Sequence, residues 1–151
     1  MTLTAVIDFE TTGISPGCGD RATEVAIVLL ESGQVVDRFQ SLMNAGVRIP
    51  SFITQLTGIT NAMVASAPDA AQVMRDASRF VGAVPMVAHN AAFDRKFWQA
   101  ELARAGLDAP QPFICTLLLS RRLYPQAPNN KLGSLIDYLR LPRTGQAHRA
   151  L

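Results

Sequence analysis

In Asp8-Phe9-Glu10, two acids directly follow an apolar run, Leu3 to Ile7. A run of that kind reads as a buried strand, and in a strand residues i and i+2 share a face. Asp8 and Glu10 would then stand side by side. Two carboxylates a few ångströms apart repel, the more so when water is removed. A divalent cation relieves that repulsion, because hard cations take carboxylate oxygens. The alternative is a frayed strand end with solvated acids, helped by Thr11, Thr12 and Gly13. A second stretch has the same form. In "VAHNAAFD" (Val87 to Asp94) a short apolar strand gives way to polar residues and a helix start. Asp94 falls in the first turn, where a negative charge is favoured in its own right. It also shares a helix face with Phe97 and Trp98, at i+3 and i+4, which turns it toward the sheet. A strand-borne pair facing a helix-borne third acid is one way to build a metal site. His89 and Asn90 end the strand beside it, and a histidine there is a structural residue sooner than a catalyst. His148, in "GQAHRAL" (Gly145 to Leu151), reads by itself as a surface residue.

These side chains need a scaffold, and the hydrophobic pattern supplies one. Glu24 to Leu30 reads as a second strand and Val35 to Leu42 as a third, joined by a turn at "ESGQ" (Glu31 to Gln34). Three strands so close together imply an antiparallel meander. "ISPGCGD" (Ile14 to Asp20) reads as a loop. Further on, Asp69 is placed to cap a helix with the stripe Val73, Ala77, Phe80 and Val81. Met86 to Ala88 reads as a short strand and Ala91 to Ala105 as a helix ended by Gly106. Phe113 to Thr116 reads as a strand running into a helix near Leu117 to Leu123. Leu132, Leu135, Ile136 and Leu139 mark a last helix. Alternating strands and helices imply parallel pairing with crossovers. The expectation is an α/β fold, a mixed sheet flanked by helices.

At 151 residues with 48% hydrophobic side chains, the chain is long enough for one domain with a sizeable core. No stretch looks like a transmembrane helix or a signal peptide, so a soluble, cytoplasmic protein with no membrane partner is expected. Cys18 and Cys115 have no metal-ligand spacing and read as ordinary thiols. Residues 1–75 carry 4 basic and 7 acidic side chains, whereas residues 76–151 carry 10 basic and 5 acidic. A basic half beside an acidic cluster suits a polyanion approaching a metal. Solvated faces produce the same asymmetry.

Taken together, "DFETTG" (Asp8 to Gly13), "HNAAFD" (His89 to Asp94) and "HRAL" (His148 to Leu151) resemble, in order, the three motifs of the DEDDh 3′→5′ exonucleases. That family includes the proofreading subunit of bacterial replicative polymerase. "LTGIT" (Leu56 to Thr60) and "CTLLLSRRLYP" (Cys115 to Pro125) are similar to family segments too, so the resemblance covers nearly the whole chain. It implies an RNase H-like fold: an antiparallel three-strand meander plus parallel strands, flanked by helices. It implies that Asp8, Glu10 and Asp94 bind metal and that His148 is the general base activating the attacking water. Thr11 and Asn90 match positions near the terminal nucleotide. Ile14, Leu56 and Phe93 match apolar positions that pack on the terminal base and sugar, with plain core packing as the alternative. Arg121 and Arg122 either face phosphates or line an exposed helix face. The implied cofactor is Mg²⁺, two ions roughly 4 Å apart, with Mn²⁺ as substitute. The implied reaction releases nucleoside 5′-monophosphates from single-stranded or frayed 3′ ends, in DNA proofreading or repair, with a polymerase or other replication or repair partner. The family also carries a fourth acid five residues beyond its third-motif histidine, and this chain ends three residues after His148. The expectation is one exonuclease domain over residues 1–151, cut short at its C-terminal helix. Two other readings stay open: a non-catalytic module binding nucleic acid or a polymerase, and a structural domain with solvated acids.

Overall fold

A computed structural model of the chain describes residues 2–143, 149 and 150. Strands β1 (Leu3–Thr11), β2 (Ala22–Glu31) and β3 (Gln34–Leu42) form an antiparallel meander. Its β2–β3 turn places Ser32 and Gly33 at φ 51° and 80°, the left-handed geometry of the tight hairpin that "ESGQ" predicts. Helices α1 (Ser51–Thr57), α2 (Asn61–Ala65) and α3 (Ala70–Val81) carry the chain to β4 (Met86–Ala88), which pairs parallel to β1. Helix α4 (Ala91–Arg104) leads to β5 (Phe113–Cys115), parallel to β4, and then to α5 (Thr116–Leu123) and α6 (Leu132–Tyr138). The five strands lie in the order β3-β2-β1-β4-β5. This is the expected mixed sheet with helices.

The core lies on the sheet face that presents Ala5, Ile7, Phe9, Val25 and Ile27. Helix α3 covers it with Val73, Met74, Ala77 and Val81, and α4 with Phe97, Trp98 and Leu102. Burying a side chain the size of Phe97 is worth about 1.5–3 kcal/mol, and its ring meets Phe9 and Phe93 at 6.5 and 5.0 Å. Trp98 buries its indole without orphaning the N–H, which donates to Gln111 Oε1 at 2.9 Å. Asp69 caps α3 as expected, accepting from the Ala71 N–H.

Helix α4 is held to the meander at two places on one face. Near its start the Asp94 carboxylate accepts from the Phe9 N–H at 3.0 Å. Two turns later Glu101 makes a bidentate pair with Arg21 at 2.8 and 2.9 Å and accepts from the Ala22 N–H at 3.2 Å. Asp94, Phe97, Trp98, Glu101 and Leu102 are all buried, as the face predicted from Asp94, Phe97 and Trp98 requires.

Candidate active site

The local sequence explains why an acid pair stands on β1. Expected to end near Ile7, the strand runs through both acids to Thr11, so the frayed end is ruled out. Val6 pairs with Val87, and β4 then stops at Ala88. Beyond that point the β4-side edge of β1 has no strand beside it among the described residues. Asp94 fills the gap by accepting the Phe9 N–H, which would otherwise be a buried orphan donor. One helix residue thus extends the sheet edge and sets a third carboxylate next to Asp8 and Glu10.

On the other side of β1, Asp8 lies opposite Ala26 and Glu10 opposite Glu24. The register shifts just past this rung: Thr11 pairs with Ala22, leaving Thr23 as the extra residue of a bulge. Bulges re-aim side chains beside functional sites. Here the bulge falls where a fourth carboxylate, Glu24, faces Glu10. Glu24 is fully buried. From sequence Glu24 reads only as a strand start, although an acid inside "ATEVAIVLL" is the same anomaly that marks Asp8.

The electrostatics follow from this crowding. Burial and the neighbouring Asp8 charge push Asp94 up to about 8, against the pull of the Phe9 and its own N–H groups. Burial, then the charges of Asp8 and Glu24, push Glu10 up to about 7, with Arg149 pulling the other way. Crowding by protein and the Glu24 charge raise Asp8 to about 6. Asp8 presents an exposed surface, so solvent screens it more than the buried Asp94. Each shift has the sign expected of like charges held together out of water. None of the three acids has an ion-pair partner among the described residues.

Hard oxygen donors with mutual repulsion and no basic partner suit a divalent cation. Among the described residues no three acidic, cysteine or histidine side chains yet converge closely enough to enclose an ion. The carboxylates therefore neighbour one another without forming a finished coordination sphere. His148 lies outside the described residues.

The other residues singled out in the sequence fall in distinct settings. Thr11 is buried and donates to the Gly13 carbonyl at 2.6 Å. Asn90 is exposed at the start of α4, and its φ of 62° is a left-handed conformation that costs a non-glycine residue energy and tends to persist at functional sites. Core packing fails as an explanation for Ile14 and Leu56, which are 74% and 51% exposed. Phe93 is half-buried, its ring against Phe97 and under the Lys96 ammonium. His89 is structural: its ring nitrogens lie 3.0 Å from Thr116 Oγ1 and 2.7 Å from the Asn130 carbonyl, tying β4 to α5 and the loop beyond. Arg121 and Arg122 lie on an exposed helix face.

The geometry now meets its relatives. The chain matches the exonuclease family, RNase T type, over residues 5–151, and it belongs to that family. It is 40% identical over 146 residues to the 3′-5′ exonuclease DinG of Bacillus subtilis, which covers 96% of the chain but 16% of DinG. It is 37% identical over 147 residues to a PolC-type DNA polymerase III of Bacillus cereus, covering 97% of the chain and 10% of the polymerase. The chain thus spans less than a fifth of the length of either relative. A solved exonuclease X in complex with 5′-overhanging duplex DNA superposes with a TM-score of 0.75 at 29% identity, covering 97% of this chain and 81% of that one. The fold is the RNase H-like exonuclease fold expected from the sequence. Exonucleases of this kind use divalent metal ions.

Proposed function

We propose that this domain is a 3′→5′ exonuclease that trims single-stranded or frayed 3′ ends of DNA and releases nucleoside 5′-monophosphates. The observation that carries this reading is the gathering of Asp8 and Glu10 on β1 against Asp94 on α4, all three repelling and none ion-paired. Asp8, Glu10 and Asp94 hold divalent ions, Mg²⁺ in the cell with Mn²⁺ as substitute. Such ions, when bound, stabilise charge on a scissile phosphate and acidify water. The residues themselves do the rest. His148, in the position of the family's general base, accepts the water proton; an imidazole with an ordinary pKa of about 6.5 suits that task near neutral pH. Ile14 and Leu56 offer exposed apolar surface to the terminal base and sugar, and the half-buried Phe93 packs on that base and sugar too. Contacts of that kind grip a base by shape, so sequence preference is weak. Thr11 and Asn90 stand by the terminal nucleotide. The domain works in the cytoplasm in proofreading or repair beside a polymerase, a partner that the PolC-type DNA polymerase III relative supports.

The test is a 3′-labelled single strand, DNA and RNA in separate reactions, incubated with Mg²⁺ and then with EDTA. Stepwise release of labelled 5′-mononucleotide from DNA, stopped by EDTA, is expected, with a circular single strand surviving. Cutting of the circle contradicts an exonuclease. Binding without cleavage assigns a non-catalytic module. We also propose that residues 1–151 act as a single exonuclease domain.

A further inference from the structure

Glu24 is a fully buried carboxylate on β2, and among the described residues its partners beyond its own sheet come from the far end of the chain. Arg149 donates to it through two nitrogens, Nε to Oε1 at 2.9 Å and Nη2 to Oε2 at 2.8 Å. The Ala150 N–H donates to Oε1 at 2.9 Å. On the sheet side, Gln40 Nε2 of β3 donates to Oε2 at 2.7 Å, so each oxygen accepts two hydrogen bonds. Arg149 keeps 18% of its side-chain surface exposed, and Ala150 is fully buried.

This arrangement is expensive as mere packing. Burying an ion pair seldom adds stability over an apolar residue of the same size, and the rest of β2 is largely apolar. The position makes it worse, since Glu24 is the cross-strand partner of Glu10 and adds a like charge beside the acid cluster. What the carboxylate does accomplish is a three-bond seat, fixed in direction by the planar guanidinium, for residues 149 and 150 on the rung that carries Glu10. Arg149 directly follows His148. Consecutive Cα atoms are about 3.8 Å apart, so a clamp on Arg149 limits where its neighbour can go.

Resting on the exonuclease reading above, we propose that Glu24 is a positioning residue for the general base: its clamp on Arg149 and the Ala150 N–H anchors the two residues that follow His148 on the rung that carries Glu10. Glu24 is not itself a metal ligand in this account, because its oxygens are already taken by donors.

The test uses Glu24→Gln and Arg149→Lys, alone and combined with His148→Ala. Arg149→Lys keeps the charge on Glu24 while losing the fork, and so guards against a Glu24→Gln chain that does not fold. In the wild-type background each is expected to lower kcat about 10- to 100-fold, the scale of misplacing a catalytic group by about an ångström, with KM and Mn²⁺ affinity within about twofold. In the His148→Ala background the further loss should shrink to less than about threefold, because the clamp acts through that residue. The same loss in both backgrounds, or Mn²⁺ affinity falling in step with kcat, overturns the proposal. An independent readout comes from the imidazole NMR signals. The chain has two histidines, and His148→Gln assigns them. Both clamp variants should move the His148 signal and leave that of His89 in place. A stationary His148 signal overturns the clamp whether or not the chain cuts DNA. A wild-type chain inert toward every strand with Mg²⁺ overturns the exonuclease reading instead, and the ring signals then decide the clamp alone.

Discussion

Asp8, Glu10 and Asp94 are held where water cannot fully screen them, and protons are the partner available when metal is withheld. Their folded-state values of about 6, 7 and 8 lie above the ordinary carboxylate range near 4. Between roughly pH 4 and pH 8 the folded chain therefore holds protons that the unfolded chain has released. Stability falls with pH wherever the folded state binds more protons. The contribution is complete below about pH 4 and is lost as pH rises through the folded values. Thermal melts in EDTA should show a melting temperature that declines from about pH 5 to pH 8, with the decline shrinking when Mn²⁺ is added. A melting temperature that rises over the same range would mean the three acids are not raised. Ile14 and Leu56 make a different prediction, since they are exposed and support no core. Leu56→Asp should leave stability within about 0.5 kcal/mol, yet raise KM for a single strand about tenfold, the low end for a lost base contact. An unchanged KM would remove Leu56 from the substrate surface. Sequence leaves substrate packing and core packing both open for this isoleucine and leucine, and their exposure rules out the core.

At the scale of elements, α4 is the part that matters most, because it brings Asp94 to the strand pair. Its attachment through Glu101 and Arg21 is buried, at 2% and 14% side-chain exposure. Breaking a buried pair from one side leaves an uncompensated charge and costs about 3–5 kcal/mol. Glu101→Ala strands Arg21 and removes the acceptor of the Ala22 N–H, so denaturant unfolding should show a loss of that size. A loss under about 1 kcal/mol would mean the core contacts of α4 and the Asp94 tie to Phe9 hold it without the Glu101 pair. The pattern of apolar residues makes β1 to β5 and α3 to α6 legible, with Asp69 as cap and Asp94 on the inner face. Helices α1 and α2 escape because seven and five residues are too short for a stripe to stand out. What holds them is local: Gly58 at φ 77° ends α1, and Thr60 caps α2 by accepting from the Met63 N–H. Glu24 and Glu101 escape for another reason. Each is an acid whose partner is far away in sequence, 125 residues for Arg149 and 80 for Arg21. No local pattern reports such pairings, although an acid inside an apolar strand flags that one must exist.

Across the whole molecule, the meander carries two of the acids, the βα unit the third, and Arg149 and Ala150 return to the same rung through Glu24. The site is therefore a product of the complete topology, which is why single motifs read weakly and three in order read well. No helix among the described residues is long and apolar enough to cross a membrane. The more basic second half of the chain leaves Arg121 and Arg122 exposed, available to a polyanion. All of these features have a purpose only if the acid cluster takes a divalent ion. The most direct measurement is Mn²⁺ binding, followed by electron paramagnetic resonance, to the wild-type chain and to Asp8→Ala at pH 8. The wild type should bind Mn²⁺. Asp8→Ala should lose that binding while keeping its fold, with an unchanged or higher melting temperature in EDTA because one repelling charge is gone. Mn²⁺ bound by Asp8→Ala with wild-type affinity would contradict the account at its centre.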